Sequence, residues 1–541
     1  MPTSPEQLMT QFRLVTLAPE IILVLVAMAV LIMGAFFPDH SQRRVLPLLA
    51  LFGAVLSAVA TGALWNKNLV FGPPERAIYG ADNFALFFKG LFLLSLIVTI
   101  LISSRFLKTR RGDHHTVIGE YYGLLLLCTT GMMMVASARD LLVIFLGIET
   151  LSIALYILAG FARARLTSNE AALKYFLLGA FATGFMLYGI ALTYFAVGTT
   201  LLPDIFQALQ QNQNFATGEA IPTSFLLSAM ALLLIGLGFK AALVPFHQWT
   251  PDVYEGSPTP VTAFMATGAK AAAFAAFIRV FVQGFGGESV SEHWHHIVLV
   301  LAVLTMTIGN VVAIAQDSLK RMLAYSSIAH AGYVMIGVLA TASAMRAGNG
   351  GNNLQAIADA NASVLVYLAI YALMNLGAFA VLVHLENQRA TDPDWDEENA
   401  NIKIAELRGM AWQKPGVAIA LTIFLLSLAG IPPTAGFFGK FYVFMGAVDQ
   451  GLIGLALVGV INSVISFYFY ARPIVEMWMQ DAPQRTGDLN IGADGTTAAI
   501  ARPAWSLAVT IAIVVCTLAV LGLAGVQAFL NWDAVLQWLP R

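Results

Sequence analysis

Charge is scarce in this chain. Asp, Glu, Lys and Arg make up 11% of its 541 residues, hydrophobic residues make up 58%, and the mean hydropathy is +0.75. A soluble domain carries roughly 25% charge to cover its surface, so that class is excluded and a polytopic membrane protein is implied. The 29 basic and 31 acidic residues nearly cancel, which leaves no basic surface for nucleic acid. Cysteine is almost absent too. Cys128 and Cys516 lie far apart in apolar runs, without the spacing of a disulfide framework, a zinc site or an iron–sulfur cluster. The glycines of "GFGGE" (284–288) and "GNGG" (348–351) miss the spacing of a dinucleotide-binding loop and follow no strand. "HWHH" (293–296) and "DHH" (113–115) read as solvated interfacial turns. No metal, nucleotide or redox cofactor is therefore expected in this chain.

Apolar length is what the chain has in quantity. About 20 apolar residues cross a hydrocarbon core, and on that measure there are fourteen spans: 14–37, 45–65, 84–107, 119–136, 140–160, 170–198, 224–247, 260–282, 296–315, 320–341, 361–385, 416–448, 452–475 and 505–530. The first is longer than a signal-peptide core, follows a single Arg13 and precedes no small-residue cleavage site, so it reads as a retained span. Connections after odd-numbered spans hold seventeen Lys and Arg, and the other side holds six. The positive-inside rule then turns both termini away from the cytoplasm.

The spans repeat. "ARDLLVIFLGIETLSIALYILAG" from Ala138 aligns with "AQDSLKRMLAYSSIAHAGYVMIG" from Ala315, and "NEAALKYFLLGAF" from Asn169 with "NASVLVYLAIYAL" from Asn361, at offsets of 177 and 192. The second offset also sets "GLGFKAALVPFHQW" (Gly236 on) against "SLAGIPPTAGFFGKF". Five spans separate the copies, an odd number, so the copies are inverted, as in many secondary transporters. The expected fold is all-α, with an N-terminal three-helix segment (1–118), a first five-helix repeat (119–282), a second inverted one (283–475), and a C-terminal loop with the last span (476–541). Pro245 in the seventh span and Pro432–Pro433 in the twelfth predict one broken helix in each repeat.

Six basic residues fall inside spans: Lys89, Lys174, Lys240, Lys270, Arg279 and Lys440. A charge at the bilayer centre costs about 3 kcal/mol, so such residues face a bundle interior and mark an ion path. Glu149 lies mid-span, and Lys174 in the next span is its expected ionic partner. Lys240 precedes its break and Lys440 follows its own, where freed carbonyls can meet an ammonium. Lys270 sits among alanines and glycine. His247 at the first break and His330 in "SSIAHAGY" are connecting groups, because imidazole titrates near neutrality. Lys89 and Arg279 lie closer to span ends, and snorkelling is expected for both.

"FLGIETLSIALYILAGF", "GFKAALVPFHQWTPDVYEGSPTPVTAFMATGAKAAAF", "DSLKRMLAYSSIAHAGY" and "LAGIPPTAGFFGKFYVF" resemble the antiporter-like membrane subunits of the respiratory NADH:quinone oxidoreductase, complex I, in the branch called subunit N. The resemblance covers nearly all fourteen spans. It implies a proton channel at Glu149, Lys240, Lys270 and Lys440, and conformational or electrostatic coupling to a neighbouring subunit through Glu149 and Lys174 is the expected route by which the drive arrives. Lys440, where another branch carries Glu, and the chain's end soon after its last span both favour subunit N. The resemblance further implies a bacterial inner membrane and partners that include another antiporter-like subunit and small membrane subunits. Flavin, iron–sulfur clusters and quinone would then lie in or at partner subunits. A subunit of a multi-subunit sodium/proton antiporter or of a membrane-bound hydrogenase is the alternative. A structural scaffold and a stand-alone antiporter are readings from other classes.

Overall fold

The computed structural model describes residues 13–37, 39–106, 118–347, 354–390, 401–481 and 506–529. The "DHH" segment and the acidic loop 392–399 lie outside these residues. The N-terminal segment comprises α1 (Ala18–Phe36), α2 (Asp39–Ala63) and α3 (Asn83–Phe106). The first repeat comprises α4 (Ile118–Ser137), α5 (Leu141–Ala159), α6 (Leu166–Val197), the broken pair α8 (Thr223–Ala241) and α9 (Trp249–Gly256), and α10 (Thr259–Gly284), with the short α7 (Leu202–Gln211) between α6 and α8. The second comprises α11 (Glu288–Ile314), α12 (Leu319–Ala347), α13 (Leu354–Arg389), the broken pair α14 (Pro415–Ala429) and α15 (Ala435–Asp449), and α16 (Ile453–Met479). Helix α17 (Leu507–Phe529) is last.

Twelve of the described helices are long and apolar enough to cross a bilayer. The twelfth span is divided into two 15-residue halves, and the fourteenth is a shorter apolar helix. The chain is a multi-pass membrane protein. Helices α10, α12 and α13 are almost wholly enclosed by the others, whereas α2, α6 and α16 turn many large apolar side chains outward. A helix that is apolar all round belongs inside a bundle, and these three enclosed helices carry Lys270, His330 and the tyrosines Tyr367 and Tyr371.

Two features of the connections are new relative to the sequence. Strands β1 (Leu69–Phe71) and β2 (Tyr79–Ala81) form an antiparallel hairpin, and Tyr79 bridges to Ala138 while Asp140 bridges to Leu201. Hairpin, α7 and the start of α5 thus cover one end of the bundle. Asp140 also caps α5 by accepting from the Leu142 amide at 2.8 Å, satisfying one of the donors a helix N-terminus leaves free. The "HWHH" segment, expected as a solvated turn, is helical in α11. Trp294 and His295 are buried there, and His295 contacts Ser343 Oγ at 3.0 Å.

Both breaks have the same construction. The first half-helix ends on a left-handed residue, Ala242 (φ 60°) or Gly430 (φ 84°), followed two residues later by a cis X-Pro bond, Val244–Pro245 or Pro432–Pro433. The matching positions lie 188 residues apart. This replaces the sequence offset of 192, which matched apolar residues across a segment whose length differs between the copies.

Candidate proton path

At the first break, the carbonyl of Phe239 is taken by Trp249 Nε1 at 3.0 Å, and the Val244 amide donates to Thr305 Oγ1 of α11 at 2.9 Å. Lys240, 9% exposed, does not use the freed carbonyls. Its Nζ donates to Ser152 Oγ at 2.7 Å and Tyr156 Oη at 3.1 Å, both on α5. Glu149, on the same helix, keeps Oε1 enclosed without a hydrogen-bond partner among the described residues, and it is the carboxylate whose field acts on Lys240.

Lys174 does not pair with Glu149. It contacts Glu170 Oε1 at 2.6 Å and Asp252 Oδ2 at 2.7 Å, and Asp252 in turn binds Arg321, which also holds Glu255. The reason is geometric. Glu170 stands four residues before Lys174 on one helix face, and α9 brings Asp252 alongside. Lys174 therefore belongs to a half-exposed ionic cluster on the flank of the bundle. His247 also lies apart. Its Nδ1 has no hydrogen-bond partner among the described residues, and the side chain is half-buried at the outer edge of the break.

Lys270 follows a π-helical stretch, Met265–Ala269. Such a bulge rotates the side chains after it and recurs at functional positions. Its Nζ donates to the Ser327 carbonyl at 2.6 Å and to Ser327 Oγ, which also accepts from Tyr371 Oη at 2.7 Å. His330, one turn along α12, lies with its ring 5.0 Å from that of Tyr371. Its Nδ1 meets Tyr367 Oη at 2.6 Å and its Nε2 meets Tyr470 Oη at 3.1 Å. Tyr470 is bonded to Ser326. The charges of both Lys270 and Lys440 reach the His330 ring.

Lys440, 4% exposed, runs back over its break. Its Nζ donates to the Ala429 carbonyl at 2.9 Å and to Ser463 Oγ at 2.8 Å, and lies 4.9 Å from the centre of the Tyr333 ring. Gly430 makes this route open: a Cβ there would sit 2.9 Å from Lys440 Cδ. Lys240 lies in the last turn of α8, and the tip of Lys440 touches the last residue of α14. Both ammonium groups thus occupy the negative end of a helix dipole.

From Lys270 to Lys440 the interior is lined by hydroxyls and imidazole. Between Lys240 and Lys270 no hydrogen-bonded chain runs among the described residues. Lys89 and Arg279 do not snorkel. Lys89 is fully buried against Glu20 at 2.8 Å, and Arg279, 4% exposed, binds both oxygens of Asp82 and the Ala136 carbonyl. Sequence reading missed the tyrosines, since a tyrosine in a span is equally at home in packing. It also missed Glu170 and Glu20, which were visible as acids near the N-terminal ends of their helices.

Fold and site together define a membrane protein of inverted repeats and broken helices, with lysines buried along its midline. Residues 138–466 match the family described as NADH:quinone oxidoreductase/Mrp antiporter, TM. NADH-quinone oxidoreductase subunit N of Trichlorobacter lovleyi is 43% identical over 93% of this chain and 95% of its own length. A chain of respiratory complex I from Thermus thermophilus superimposes with a TM-score of 0.70 at 33% identity, covering 94% of this chain and 98% of that one. A chain of the Mrp complex from Dietzia, at 21% identity and TM-score 0.72 over 96% of both chains, shares the fold. The chain belongs to the NADH:quinone oxidoreductase/Mrp antiporter family of membrane subunits, in its subunit N branch.

Proposed function

We propose that this chain carries protons through the membrane arm of an NADH:quinone oxidoreductase, along Glu149, Lys240, Lys270, His330 and Lys440. The observation that supports this is the row of three lysines, each at most 9% exposed and each bonded to neutral oxygens and not to a carboxylate. A structural lysine is normally neutralised by a close anion, because an unpaired buried charge is costly. A lysine held by hydroxyls and carbonyls is one whose proton can be exchanged. Lys174, with its own carboxylates, serves as the charged contact through which a neighbouring membrane subunit biases the Glu149–Lys240 end. Electron transfer, and the flavin, iron–sulfur clusters and quinone that perform it, lie in other subunits. Each proton moved against 100 mV costs about 2.3 kcal/mol, so those reactions supply the drive. The setting is a bacterial inner membrane with both termini outside the cytoplasm.

The test is Glu149→Ala against Glu149→Asp in the assembled complex, read as NADH-driven proton pumping in vesicles. Alanine abolishes pumping, whereas aspartate, which keeps a titratable charge on a shorter arm, retains part of it. Near-normal pumping by Glu149→Ala overturns the relay.

A further inference from the structure

Among the buried titratable side chains that the relay leaves unused is a group in the N-terminal helices. Glu20 of α1 is 5% exposed, Lys89 of α3 is 0% and Tyr79 of β2 is 5%. Glu20 Oε1 receives Lys89 Nζ at 2.8 Å and the Tyr79 hydroxyl at 2.6 Å. Tyr79 is held well above the ordinary tyrosine range, first by burial and then by the Glu20 charge, so it acts as a fixed donor. Around this triad, Glu20 Oε2, Lys89 Nζ beyond its ionic contact, and Thr16 Oγ1 one turn before Glu20 have no hydrogen-bond partner among the described residues. Leaving such atoms unmet costs about 1–3 kcal/mol each, a cost that an ordered water bonded to them removes.

The group has a neighbour on either side. Outward, the residues after Tyr79 and Ser137 line a cavity of about 470 Å³ whose polar wall is Asp82, Arg139, Arg279 and Gln283. This cavity lies at the end of the bundle covered by the hairpin and α7. Inward, α3 packs Ser95 against Gly268, two residues before Lys270. A packing-only ion pair has no need of a cavity or of unmet donors and acceptors.

We infer that Glu20 and Lys89, with Tyr79 as donor, form a proton-holding site that connects the Lys270 end of α3 to the cavity at Arg139. This inference rests on the proton-path reading above. One proton enters on the Glu20 carboxylate, giving a neutral acid beside the Lys89 ammonium. Lys89 then releases one proton towards the cavity, and the Glu20 carboxyl passes its proton to the Lys89 amine 2.8 Å away, which restores carboxylate and ammonium.

The test uses the assembled complex in vesicles, with assembly checked on a native gel and with pumping and quinone reductase rates both measured. Glu20→Gln/Lys89→Met removes both charges together. If the pair only packs, this neutral pair restores what the single variants lose, because no buried charge is left alone. If the pair holds a proton, the double variant assembles and its pumping falls by roughly tenfold or more, the scale of losing one positioned proton-transfer group. Lys89→Arg is the second arm and decides the matter if the double variant does not assemble. It keeps the ion pair but does not release a proton near neutrality, so pumping falls while assembly stands. Full pumping by an assembled double variant, or by Lys89→Arg, overturns the inference. If those variants pump normally while Glu149→Ala does not, the relay stands and only the N-terminal site is lost.

Discussion

The ammonium of Lys440 is bonded to the carbonyl of Ala429, eleven residues earlier and on the other half of the broken helix, at 2.9 Å. The contact passes directly over Gly430. Gly430→Ala is therefore expected to leave the complex assembled and to cut pumping severalfold. The backbone cost alone, about 1–2 kcal/mol for a side chain in the left-handed region, is bearable, as Ala242 occupies the equivalent position at φ 60°. What differs is that a methyl at 430 displaces the Lys440 side chain. Native-gel assembly with vesicle pumping separates the two effects.

Lys440→Arg is expected to impair pumping nearly as much as Lys440→Met. Arginine keeps the charge and its contacts to Ala429 and Ser463 but does not give up its proton near neutral pH. A scaffold role gives the reverse order, with Arg close to wild type. Lys440→Glu, which restores a titratable group, is expected to retain partial pumping.

Arg279→Ala is expected to reduce the amount of assembled complex and its resistance to heat in detergent. The substitution strips partners from Asp82, the Ala136 carbonyl and Gln283 together. Asp82 is 39% exposed, so the loss is on the order of 1–3 kcal/mol, chiefly from the Ala136 carbonyl left unmet. Arg279→Lys recovers only part of this, since an ammonium lacks the planar fork. The ratio of pumped protons to electrons in whatever complex forms stays at the wild-type value.

Orientation is tested by labelling in intact cells. Both native cysteines are buried, so the background is low. Thr217→Cys, in the exposed connection between α7 and α8, is expected to react with a membrane-impermeant maleimide. Ala405→Cys, exposed between α13 and α14, is expected to react only after lysis. The opposite pattern reverses the topology.

The spans, both breaks and the three midline lysines were legible because each is a departure from apolar composition. A proline or an ammonium in a 20-residue apolar run has few explanations. Side-chain pairings were not legible, whether local or between spans. Lys174 was assigned to Glu149 across helices, yet Glu170 stood at helical spacing on its own face, and Asp252 arrived through the fold of α9. Lys89 looked like a snorkelling residue because its acid, Glu20, lies 69 positions away in another span. The tyrosines about His330 come from α13 and α16, and no spacing in sequence brings them together.

The two breaks share a backbone but not an address for their lysine. Lys240 stands two residues before its left-handed residue, and Lys440 stands ten residues after its own. The two cations therefore do not occupy equivalent positions of the repeated segment. A chimera that copies one broken segment over the other would then keep the helix geometry, yet it would seat the amine on the wrong half-helix, facing a different set of neighbours. Internal symmetry here is a property of the chain path, and the chemistry of each half is its own.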